Sequence, residues 1–173
     1  MEKIFKKKYL SFLKALVGCR CINISRKNMQ NAFGMDDMYI FTFNNLYSLH
    51  VISTVRIVIN DKIILNTSDE ATTASYDEWK KSFTGKEQYC CDNLLYYTLR
   101  RSMILLYNSI ISSVNISSLG DIELVHNNGL KIQILIDAQY NGEYYRIIDE
   151  NMRQYVVGYS DGRIIYEDFN AIE

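Results

Sequence analysis

Asp121-Ile122-Glu123-Leu124-Val125-His126-Asn127-Asn128-Gly129-Leu130-Lys131-Ile132-Gln133-Ile134-Leu135-Ile136 is the stretch that decides the fold. Apolar and polar residues alternate on both sides of Asn127-Asn128-Gly129, and such a turn between two period-two runs predicts a β-hairpin with strands at about 121–126 and 130–136. Downstream, the same period predicts strands at 143–149, 154–159 and 163–168, the last two joined by Ser160-Asp161-Gly162. Upstream, Cys19 to Ser25 alternates, with Ile22 and Ile24 on the face opposite Cys19 and Cys21. Short segments around 29–34, 38–43, 46–52, 55–59 and 62–66 follow, divided by turns such as Asn44-Asn45 and Asn60-Asp61, which is the pattern of an antiparallel meander.

Two regions break this period. Phe5, Tyr9, Phe12 and Leu16 recur at helical spacing with lysines on the other side, predicting an amphipathic helix over 2–16 that Gly18 ends. After a loop at 67–75, Tyr76, Trp79 and Phe83 share one side of a short helix. Asp92 then caps a central helix whose buried face is Leu95, Leu99, Ser102/Met103, Leu106 and Ile110. Ile110 to Ser117 is rich in β-branched residues, so the end of that helix is open to a strand reading. The two β-rich stretches resemble each other, each closing on an arginine followed by aliphatics (Arg56-Ile57-Val58 and Arg146-Ile147-Ile148). The expectation is a single α+β domain over 1–173, with mostly antiparallel sheet from two similar halves and an N-terminal and a central helix packed against them. Its parts are 1–17 (helix), 19–66 (first β-rich half), 76–112 (helical middle) and 113–168 (second β-rich half).

Apolar types make up 48% of the 173 residues and charged types 23%, which excludes disordered and collagen-like classes. No window approaches the ~20 apolar residues that span a bilayer. Proline is absent and there are fourteen tyrosines. The net charge of −1 conceals a split: residues 1–30 carry eight basic side chains and one acid, leaving eleven basic and nineteen acidic in 31–173. Lys6-Lys7-Lys8 before Tyr9–Val17 imitates an export signal. Lys14 interrupts that apolar stretch, and a cytoplasmic protein is expected. Cys19, Cys21, Cys90 and Cys91 contain no C-x-x-C pair, so reduced thiols are expected, with no metal and no cofactor.

Two constellations carry candidate chemistry. His50 and Arg56 are six apart, an even spacing that gives them one face on an uninterrupted strand, or paired strands if the chain turns near Ser53-Thr54. With Asp69 or Glu70 nearby they form a His/Arg/carboxylate set suited to phosphate esters, since histidine shuttles a proton and arginine clamps an anion. The competing reading makes these residues, and Arg146 beside Tyr145, structural clasps. The second constellation lies in 137–173, where eight acids against three arginines interleave with six tyrosines. Glu143, Tyr144, Tyr145, Asp149, Glu150, Tyr155, Tyr159 and Asp161 form the candidate partner-binding set, because tyrosine rings give contact area at low entropic cost and carboxylates steer a basic partner. Basic residues cluster in the first thirty positions without an aromatic-basic RNA-reading motif, which disfavours nucleic acid as a partner.

Gly18, Arg26, Phe33-Gly34, Leu49-His50, Arg56-Ile57, Asp69, Gly120-Asp121-Ile122-Glu123-Leu124, Gly129-Leu130 and Glu143-Tyr144-Tyr145-Arg146 together follow a recurring pattern. On these residues the chain resembles a group of small bacterial proteins that includes immunity-type members encoded near polymorphic toxins. It departs from that pattern at Thr54-Val55, where Pro-Trp is frequent, and at Tyr145, where tryptophan precedes the arginine. The resemblance implies a compact domain with an immunity role and brings no catalytic residues. The expected function is binding and neutralising a cognate toxin domain through an acidic, Tyr-rich surface. The alternatives are a small enzyme or ligand-binding domain using His50, Arg56 and Asp69, and a homodimer docked through the N-terminal helix.

Overall fold

The computed structural model describes residues 2–31, 34–67, 102–136, 143–151, 154–159 and 163–168. Most of the expected helical middle, with Asp69, Cys90 and Cys91, lies outside them, as does Asp161. The described elements are a helix α1 (Glu2–Ala15) and strands β1 (Cys21–Asn31), β2 (Gly34–Phe43), β3 (Tyr47–Val51), β4 (Thr54–Ile59), β5 (Lys62–Asn66), β6 (Ile111–Ile116), β7 (Ile122–His126), β8 (Leu130–Leu135), β9 (Glu143–Asp149), β10 (Gln154–Tyr159) and β11 (Ile164–Asp168). They form two antiparallel sheets, a six-stranded one in the order β1-β2-β3-β9-β10-β11 and a five-stranded one in the order β5-β4-β8-β7-β6.

Both β-rich stretches contribute to both sheets. β1 to β3 lie in the first sheet and β4 and β5 in the second, while β6 to β8 lie in the second and β9 to β11 in the first. The chain changes sheet at Ile52-Ser53, where both backbone N–H groups donate to the carbonyl of Tyr144 (2.8 and 3.3 Å). Strands that bend from one sheet into another make corners of this kind. β3 runs antiparallel to β9 and β4 antiparallel to β8, so these two pairs join the halves.

One hydrophobic cluster fills the space between. Phe41, Leu49, Val51, Tyr145, Ile147 and Val156 come from the six-stranded sheet, and Val55, Ile57, Ile122, Leu124, Ile132 and Ile134 from the other. α1 adds Tyr9, Phe12 and Leu13, and the turn that follows it adds Leu16, all on one side by their 3–4 spacing. Phe12 meets the rings of Tyr47 and Tyr166 edge-on. The helix stops at Gly18, whose φ of 84° is the left-handed conformation that ends many helices. The Asn45 side-chain amide donates to the Ala15 carbonyl (2.8 Å), satisfying one of the last free acceptors.

Three boundaries differ from the sequence reading. The segments expected at 19–25, 29–34 and 38–43 are one long hairpin of β1 and β2. A bulge at Ile22, between the Cys21↔Phe43 and Asn23↔Thr42 pairs, reverses the alternation there. Cys21 and Ile24 therefore both pack on the core and Ile22 is exposed. Residues 102–107 are helical, but Ile111 and Ser112 already belong to β6, so the helical middle ends before 111. β-Branched Ile111 and Val114 are suited to a pleated, half-buried surface.

Candidate functional site: the outer face of the six-stranded sheet

The side chains of β3 alternate, with Leu49 and Val51 in the core and Ser48 and His50 on the opposite, outer face. Register then fixes their neighbours. His50 stands across from Ile40 on β2 and Arg146 on β9, and Arg146 across from Val157 on β10. The adjacent row is Thr42, Ser48, Ile148 and Tyr155. A second bulge, between the Gly158↔Tyr145 and Tyr159↔Glu143 pairs, shifts the start of β9 by one residue. Glu143 thereby joins Arg146 on the outer face, and Tyr144 turns into the core beside Tyr145.

On this face the Arg146 guanidinium is held from two sides. Its Nε and one terminal nitrogen donate to the two oxygens of Glu143 (3.0 and 2.7 Å), and its carbon lies 4.8 Å from the ring centre of Tyr155. A planar guanidinium suits both contacts at once. Arg163 lies 5.2 Å over the ring of Tyr159. Ser48 Oγ is 3.1 Å from His50 Nε2. Ile148, Tyr155 and Val157, with Tyr159 against them, make a small apolar cluster separate from the main core. The result is a row of tyrosines, arginines and one carboxylate on a sheet.

Several expected site residues lie elsewhere, which corrects the picture of one exposed Tyr-rich surface. Tyr144 and Tyr145 are core residues, 5% and 1% exposed. Asp149 is buried at the end of β9, accepting from the Tyr47 hydroxyl (2.7 Å) and the Asn151 backbone N–H (3.0 Å). Burial and the carboxylate partner push the Tyr47 phenol well above its usual value. Tyr155 is nearly buried beneath Arg146, whereas Glu150 is exposed in the turn after β9.

His50 and Arg56 do not come together. The chain changes sheet between them, so His50 lies on the outer face of one sheet and Arg56 on the outer face of the other, opposite Gln133. Their even spacing implies a shared face only on an unbroken strand, and Ile52-Ser53 breaks it. Among the described residues no group of three or more His, Cys, Asp or Glu side chains is placed to hold a metal ion. Cys19 and Cys21 are buried free thiols, and burial pushes Cys21 up to about 12. A shallow apolar depression is lined by Met103, Ile104, Tyr107 and Asn108, none of them a candidate site residue of the sequence.

Ser48 and Arg163 are among the members of the outer face that the sequence does not single out. Alternation from Leu49 marks Ser48 as facing away from the core, but only cross-strand register shows what it faces. The molecule is thus a mostly antiparallel, two-sheet α+β protein whose outer sheet face carries an aromatic-arginine array. Comparison with protein-family models, with curated proteins and with solved structures finds no match. No described helix is long and apolar enough to cross a membrane.

Proposed function

We propose that this chain is an immunity-type protein, which binds a cognate bacterial toxin domain and neutralises it by occupying its surface, without turnover. The outer face of the six-stranded sheet carries this reading. It presents Arg146, Glu143, Tyr159 and Arg163 beside His50, with Glu150 on the adjoining turn. Tyrosine and arginine are the side chains enriched where protein interfaces concentrate their binding energy. Arg146 is already fixed by Glu143 and Tyr155, so docking would cost it little further conformational freedom. The charge split adds direction: residues 31–173 carry eight more acids than bases, which would steer a cationic toxin toward them. The motif resemblance to immunity-type proteins points the same way, and the protein would then meet its target in the cytoplasm.

The test is co-purification with the C-terminal domain encoded by the gene immediately upstream, followed by titration calorimetry of Tyr159→Ala and Glu150→Lys. The expected result is a complex that each substitution weakens at least tenfold, with a shallower salt dependence for Glu150→Lys. Absence of a complex, or affinity and salt dependence unchanged in both variants, would overturn the reading.

A further inference from the structure

Among the described residues each sheet leaves two edges, β1 and β11 in the larger and β5 and β6 in the smaller. An unpaired edge templates pairing with another chain, and proteins commonly blunt it with charge. β1 carries Arg26 and Lys27, β5 carries Lys62, and β11 carries Glu167 and Asp168. β6, Ile111-Ser112-Ser113-Val114-Asn115-Ile116, carries none.

The bonds on either side of β6 determine which of its backbone groups face outward. Ser117 N–H donates to the Asp121 carbonyl (3.0 Å), and Asn115 stands opposite Glu123. Asn115 and Ser117 therefore turn toward β7, and by alternation Val114 and Ile116 turn their N–H and C=O to the open side. Ile111 has its open side filled: its N–H donates to Cys19 O (2.9 Å) and its carbonyl accepts from Gly18 N–H (2.8 Å). Among the described residues the edge is thus unpaired around Val114 to Ile116 and closed at Ile111 by the residues that follow α1. Exposed apolar side chains stand at both ends, Val17 beside Gly18 and Leu119 in the β6–β7 turn, 45% and 73% exposed.

We propose that the open edge of β6 pairs antiparallel with β6 of a second copy of this chain, about a two-fold axis at Asn115. Val114 of each copy then stands opposite the partner's Ile116, and the outward N–H and C=O groups of both residues are exchanged. Asn115 meets the partner's Asn115 at the axis, on the polar face of the sheet. The partner's Leu119 comes level with Ile111, against Gly18 and Val17. The two five-stranded sheets become one, and half-buried Val114 and Ile116 extend the apolar layer across the join. The register favours a second copy over a foreign strand because it is self-complementary throughout, as a two-fold interface requires: apolar meets apolar, neutral polar meets neutral polar, and each closed end receives an exposed leucine.

Sedimentation equilibrium of the full chain over a wide concentration range tests this. The expected result is a reversible dimer of twice the 20.2 kDa monomer mass. Asn115→Lys, which places two ammonium groups at the axis while leaving Glu123 beside each, is expected to raise the dissociation constant at least tenfold with an unchanged circular dichroism spectrum. Opposed residues at such a position have Cα atoms about 4.5 Å apart, within disulfide range. With Cys90 and Cys91 replaced by serine, Asn115→Cys is therefore expected to cross-link under mild oxidation, and Ser113→Cys, which faces the partner's Ser117, is not. A monomer at every concentration, a dimer unmoved by Asn115→Lys, or equal cross-linking at both positions overturns the proposal.

Discussion

The ring of Tyr145 lies over Gly158, its cross-strand neighbour, so closely that a Cβ at residue 158 would collide with the ring's Cζ, Cε1 and hydroxyl. Gly158 is buried and has an ordinary φ, so the demand is for space and not for backbone freedom. Gly158→Ala is expected to destabilise the fold by about 1–3 kcal/mol, the usual range for overpacking a filled core. Urea unfolding reads it. Tyr145→Leu in the same chain is expected to recover part of the loss, because the colliding far end of the ring is then gone.

Tyr145 is also tied to α1. Its hydroxyl is 2.5 Å from that of Tyr9, and the two rings stack with centres 6.5 Å apart. This is a polar link between helix and sheet, set in the apolar core. Tyr9→Phe leaves the Tyr145 hydroxyl without this partner and is expected to cost about 1–3 kcal/mol. The double change with Tyr145→Phe is expected to cost less than the sum, since no hydroxyl is then stranded. Burial pushes the Tyr9 phenol up to about 12, above the value near 10 of an unfolded tyrosine. The native state thus holds its proton longer, and stability complete below pH 10 falls as pH rises toward 12. Phenolate absorbance followed against pH measures this.

The uninterrupted alternation of Asp121 to Ile136 made the central hairpin legible in the sequence, and β7, β8, β9, β10 and β11 follow from the same period. Bulges were not legible. An extra residue at Ile22 or Tyr144 leaves composition unchanged and alters only which later residues face the core, so Tyr144 reads as a surface tyrosine until its partner strand is known. The site suffered most, because it depends on register between distant strands. His50, Arg146 and Tyr155 share a face only because β3 pairs with β9 and β9 with β10. His50 and Arg56, six apart, are separated by a change of sheet at Ile52-Ser53; the sequence allows a turn there as well as an unbroken strand, but does not announce that the chain enters a second sheet. Asp149, an acid in an acidic stretch, reads as solvated until Tyr47 is seen to donate to it.

His126 ends β7 pointing into the core, 2% exposed. Its Nδ1 is 2.8 Å from Ser109 Oγ, while Nε2 is buried with no hydrogen-bond partner among the described residues. A charged ring would bury an N–H⁺ without an acceptor, and desolvation lowers the histidine from 6.5 to about 4. Between those values the unfolded chain binds the extra proton, so stability is full above pH 6.5 and declines as pH falls toward 4. The slope is at most about 1.4 kcal/mol per pH unit. Glu123, held below its ordinary value by hydrogen bonds from Gln133 and Asn115, loses its contribution only below 4.5, outside most of that window. His126→Phe is expected to flatten the decline between pH 6.5 and 4 in urea titrations. A slope unchanged in that variant would assign it to other groups.

Under the proposed function, stability and recognition are expected to separate on β9, because its inner face packs in the core and its outer face carries the proposed binding surface. Glu143 and Arg146 form a partly exposed ion pair, and such pairs contribute about 0–1 kcal/mol. Glu143→Gln should therefore barely move the urea midpoint. Yet the neutral amide holds the guanidinium less firmly over Tyr155, and an interface that meets a pre-set arginine loses affinity when the arginine regains freedom. Tyr145→Ala, one face over, should do the reverse at first: about 3–5 kcal/mol of stability lost through a core cavity, with binding falling only in proportion to the unfolded fraction. Comparing unfolding curves with calorimetric titration of the proposed toxin partner distinguishes the two. If Glu143→Gln changes neither quantity while Tyr145→Ala lowers affinity at temperatures where it remains folded, the binding surface lies on a different part of the molecule.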